Sequence, residues 1–90
     1  MDPKELDPQF FSLVSTLAAA CWQHLGKAPS QLGGPLEKDL EGAMATIKTM
    51  LMLRDKTQGN LTSTEERLLE DTISSLQENY EKTAAEEDEQ

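Results

Sequence analysis

Ninety residues with a formal charge of −9 allow one domain and leave no room for a second. The charge is concentrated in the last third: residues 1–7 carry −2, residues 8–59 carry +1 and residues 60–90 carry −8. That field repels nucleic-acid backbone and anionic lipid, which excludes nucleic acid as an expected partner.

The chain opens Met-Asp-Pro-Lys-Glu-Leu-Asp. This start is acidic where a secretory leader is basic, and no stretch is apolar enough to span a bilayer. A lone cysteine, Cys21, cannot form an internal disulfide and suits a reducing compartment, so the expected location is the cytoplasm. Asn60-Leu61-Thr62 matches a glycosylation acceptor and, in a chain that is not exported, reads as chance.

The first predicted helix covers 8–25. Asp7 suits its N-cap, Pro8 its first position and Gly26 the residue past its end. Between Pro8 and Gly26 there is no Asp, Glu, Lys or Arg. Leu13, Leu17, Phe10, Cys21, Val14, Leu25, Ala18, Phe11 and Trp22 fill an arc of about 200°, twice the roughly 100° that docking on one neighbour requires. A second chain is expected to cover the surplus, with Phe10, Phe11, Val14, Ala18 and Trp22 as the self-association surface. A lipid surface is the alternative. It fits less well, because Ser12, Ser15, Thr16 and Gln23 occupy the remaining face where membrane-surface helices carry Lys or Arg.

Pro29, Gly33, Gly34 and Pro35 mark a loop, and Pro35 can open a second helix over 35–58. Leu36, Leu40, Ala43, Met44, Ile47, Met50 and Leu51 lie on one stripe of it. Met52 points off that stripe and, with Leu53, is the candidate contact for another protein. Gly42, Thr46 and Thr49 gather small side chains that would permit a close helix crossing.

Lys56, Thr57, Gly59, Asn60, Leu61 and Thr62 form the expected turn, with Gly59 as a left-handed cap. Thr62-Ser63-Thr64-Glu65 is a capping box that starts a third helix over 63–82. Leu69, Ile73, Leu76 and Tyr80 supply its apolar stripe. The short link makes the second and third helices an antiparallel hairpin. The remaining TAAEEDEQ, 83–90, reads as a disordered acidic tail, so the expected fold is all-α with one domain over 1–82.

Candidate chemistry is sparse. Cys21 and His24 share a helix face, but a metal needs three or four ligands, and the chain has no further Cys or His. A dimer could combine two such pairs, which keeps a Cys-His metal protein as a distant alternative. As a nucleophile pair they lack an orienting group. Asp55 to Glu66 imitates a calcium loop but sets Gly59 and Asn60 in the wrong order. Glu65, Glu66, Glu70 and Asp71 read as a solvated helix face. The expectation is therefore no enzyme, no cofactor and no bound metal.

The stretch from Leu25-Gly26 through Asp39-Leu40, Ala43, Ile47 and Met52-Leu53 resembles a bacterial family catalogued as domain of unknown function 1844. The likeness continues over Lys56-Thr57-Gln58-Gly59-Asn60-Leu61-Thr62, then Glu65 or Glu66, Leu69, Leu76 and Tyr80. The Lys-Thr-x-Gly-Asn-Leu-Thr run between two helices is its specific part. The chain departs at Leu76-Gln77-Glu78-Asn79-Tyr80, where the resemblance implies a more basic approach to the tyrosine. It implies a small helical protein and supplies no activity. The functional expectation is a homo-oligomeric module that also binds another protein.

Overall fold

A computed structural model describes residues 5–26 and 38–88. Three α-helices make up the described structure: α1 (Pro8–His24), α2 (Leu40–Lys56) and α3 (Ser63–Asp88). The loop marked by Pro29, Gly33, Gly34 and Pro35 lies outside the described residues, as do Leu36 and Glu37 of the expected second helix.

Each helix starts where a side chain satisfies backbone N–H groups that the helix itself leaves unpaired. At α1 the Asp7 carboxylate accepts from the Gln9 N–H at 2.8 Å, with Pro8 behind it. At α2 the Asp39 carboxylate accepts from the Gly42 N–H at 2.9 Å. This cap corrects the expected start at Pro35. Lys38 and Asp39 are not helical, and Asp39 adopts φ −137° as the residue that precedes the helix. At α3 the capping box forms in both directions. The Glu65 N–H donates to the Thr62 hydroxyl at 3.2 Å, and the Thr62 N–H donates to Glu65 Oε1 at 3.0 Å.

Two glycines terminate helices from the left-handed region. Gly26 follows α1 at φ +75° and Gly59 follows α2 at φ +86°. A Cβ at Gly59 would meet nothing within 4 Å, so a side chain there is opposed by backbone strain and not by crowding. Gly59→Ala is expected to lower stability by about 1 kcal/mol. Equilibrium denaturation with an unchanged midpoint would contradict that assignment.

The core takes three buried side chains from each part of the bundle. Val14, Cys21 and Leu25 come from α1 and its end, Ala43, Ile47 and Met50 from α2, and Leu69, Ile73 and Leu76 from α3. Leu40, Leu51 and Tyr80 pack around them, half-buried. Near one end of the bundle Arg54 Nε lies 3.7 Å from Glu70, and near the other Lys38 Nζ lies 4.0 Å from Glu86. The ends so paired place α2 and α3 side by side, running in opposite directions, with the packing of the buried core between them.

The helix that begins at Ser63 does not stop at Lys82. It continues to Asp88, which corrects the expectation of a disordered tail for 83–88; residues 89–90 lie outside the described residues. Two physical reasons account for it. Ala and Glu are strong helix formers, and Thr83 extends the 69, 73, 76, 80 spacing by one more step into a fully buried position. Among the described residues the Thr83 hydroxyl finds no hydrogen-bond partner. Thr83→Val keeps the shape and removes the stranded hydroxyl. It should raise stability by about 1 kcal/mol, and a lower melting temperature for this variant would contradict the assignment.

Candidate interaction face

The residues expected to self-associate divide into three environments. Val14 is buried in the core, which removes it from any surface. Phe10, Ala18 and Trp22 are half-buried and pack against that core. Phe11 remains 46% exposed, and Leu13 joins it at 45%. The wide apolar arc therefore has an internal cause that one-neighbour docking missed: α1 packs against both α2 and α3. Two neighbours use most of the arc, and its edges are what stays open.

Phe11 and Leu13 mark those edges. Two residues apart at about 100° each, they stand on opposite margins of the outward face of α1. Between them run Ser12, Ser15, Thr16 and Ala19, all exposed, with Gln23 half-buried. Phe11, Ser12, Ser15, Thr16, Ala19, Ala20 and Gln23 line a shallow depression along this face. The face carries no ionised side chain, on a chain whose net charge is −9.

On α2, Met52 is 48% exposed, while its expected companion Leu53 packs half-buried against the core. Met44 is also half-buried, beside Leu40 and Tyr80 in an open groove. The turn residues do local work. The Thr57 hydroxyl donates to the Leu53 carbonyl at 2.8 Å, and the Asn60 N–H donates to the Thr57 carbonyl at 2.9 Å. Lys56 ends α2, Gly59 and Asn60 are exposed, and Leu61 packs against the core.

Cys21 and His24 occupy different surroundings. Cys21 is fully buried, its thiol directed at the Ala43 carbonyl at 3.6 Å, and burial pushes the thiol pKa up. A buried, protonated thiol is a poor nucleophile. His24 sits near the surface with Nδ1 3.7 Å from Asp39 Oδ2. Gly42 lies directly beneath this pair: a Cβ there would stand 2.7 Å from His24 Nδ1 and 2.6 Å from Asp39 Oδ2. The small residue at 42 thus lets the end of α1 cross close over α2, while Thr46 and Thr49 turn their hydroxyls back to the Gly42 and Ala45 carbonyls of their own helix. Among the described residues no three His, Cys, Asp or Glu side chains are grouped to hold a metal ion.

The acidic cluster needs one correction. Glu66, Glu70 and Asp71 are exposed as a solvated face should be, but Glu65 is only 6% exposed. Besides capping Thr62, its Oε2 accepts from the Asp7 N–H at 2.8 Å. The Thr62 hydroxyl also donates to the Glu5 carbonyl. Thr62 and Glu65 therefore tie the segment leading into α1 to the start of α3. The capping-box spacing signals only half of this arrangement, because the second oxygen finds its donor through the tertiary fold.

No helix among the described residues is long and apolar enough to cross a membrane. No curated protein and no solved structure gives a significant match to the chain. A family model described as Domain of unknown function (DUF1844) matches residues 7–82.

Proposed function

Starting from a chain that belongs to the DUF1844 family, we propose that it acts by association, pairing with a second copy of itself through the outward face of α1, and that it carries out no catalysis. The observation behind this reading is the pair Phe11 and Leu13. Both are nearly half exposed, on a helix with no Asp, Glu, Lys or Arg. Small side chains between them allow a second helix to approach closely. An uncharged face is also where two chains of the same net charge repel least. The buried thiol and the ungrouped His, Asp and Glu side chains give no support to a reaction centre among the described residues.

In this proposal the module is cytoplasmic, with Met52 available to a different protein. Light scattering at micromolar concentration tests the self-association. The expected mass is at least twice the 10.0 kDa of one chain. A mass of 10.0 kDa would defeat the proposal, and flotation of the monomer with neutral vesicles would instead make the face a lipid contact.

A further inference from the structure

Glu65 joins parts of the chain that are 58 residues apart. We propose that it is a proton-sensitive latch. While ionised, its carboxylate holds residues 5–7, and with them the start of α1, against the start of α3; protonation releases them. An ionised carboxylate is an acceptor only, and here its two oxygens take N–H groups from two different segments, Thr62 at 3.0 Å and Asp7 at 2.8 Å. Protonation removes the charge that strengthens both bonds and turns one oxygen into a hydroxyl, a weaker acceptor whose proton competes for the space of the N–H it faces. The hold on the two segments is weakened accordingly. The same Thr62 holds the Glu5 carbonyl through its hydroxyl, so both anchors of the segment meet at the Thr62–Glu65 capping box.

The charged groups around the latch do not replace it. Glu5 and Asp7 arrive on the segment that is held, and the Asp7 carboxylate is engaged by the Gln9 N–H. From α2, Arg54 is shared between Asp55 at 3.8 Å and Glu70 at 3.7 Å. Glu66 and Arg67 follow on α3 itself, and residues 57–62 carry no charge. Among the described residues no cation pairs with Glu65. Its hydrogen bonds, from the Thr62 backbone first and the Asp7 backbone next, hold its pKa below the ordinary glutamate value against the opposing effect of burial. The sign follows from linkage. A depressed carboxyl pKa contributes stability that is fully present above the unfolded value and is lost as pH falls through the folded one. The latch therefore opens only in acid, below the ordinary glutamate range.

Amide resonances followed from neutral pH into acid test this, in an Asp7→Asn background that removes the titration of residue 7 itself. The residue 7 amide should shift with a single midpoint, the one shown by the Glu65 carboxyl carbon, while the Ile47 and Met50 amides stay in place. A residue 7 amide that ignores the Glu65 titration would overturn the proposal, as would all resonances moving together. Adding Glu65→Gln should put the residue 7 amide near its acid position already at neutral pH. Its remaining at the wild-type position would also overturn the latch.

Discussion

Replacing Phe11 by glutamate is expected to preserve helix content and bring the mass in solution down to the 10.0 kDa of one copy. Full burial of a phenylalanine side chain is worth about 1.5–3 kcal/mol. With 46% of Phe11 still exposed, nearly half of that remains to be gained at an interface. A two-fold contact counts it twice, so losing it weakens the pair about 10- to 100-fold, before the cost of two unpaired carboxylates is added. Light scattering over a dilution series would show the change. Met52→Glu is the matched control: Met52 is as exposed as Phe11 but sits on another helix, and this variant should keep the wild-type mass. Salt gives a second check. Copies of charge −9 repel, and shortening the Debye length from about 8 Å at 0.15 M to about 3 Å at 1 M should tighten the pair. A basic partner on the same face would loosen instead.

The largest loss of stability is expected from Leu76→Ala. Leu76 is completely buried in the core to which all three helices contribute. Truncating such a leucine removes its transfer free energy and leaves a cavity, a cost of about 2–5 kcal/mol. In a chain of this size that lowers Tm by more than about 8 °C. Thermal unfolding followed by circular dichroism measures it directly, and a shift of only a degree or two would remove Leu76 from the core. The contrast with Phe11→Glu is diagnostic: one variant should lose stability, the other its partner.

Much of the bundle was legible in local chemistry. Asp7-Pro8, Thr62 with Glu65, and Gly59 each announced a helix boundary, because capping and left-handed turns depend on residues within one turn of each other. The positions Ile47, Leu69, Ile73 and Leu76 were readable from spacing alone. What failed was nonlocal. Pro35 was a plausible opening for α2, but Asp39 caps the helix, and its N–H is held by the His24 carbonyl on the preceding helix at 2.6 Å. The acidic 83–88 run looked too polar to order, yet its helix-forming Ala and Glu residues and the buried Thr83 carry it one step further along a stripe that was already docked. The lack of charge on α1 and the width of its apolar arc were legible; that Val14 enters the core while the open face runs through Ser12, Ser15 and Thr16 between Phe11 and Leu13 was not. Pattern counts the width of an apolar arc but not how many neighbours will occupy it.

Asp39 serves two helices at once. Its carboxylate starts α2, its N–H holds the end of α1, and its other oxygen lies beside His24 across the gap that Gly42 leaves open. The relation between the two helices is thus fixed at the point where they meet. Asp39→Ala is therefore expected to loosen the start of α2 and its crossing with the end of α1 together, at a cost of about 1 kcal/mol for the cap alone.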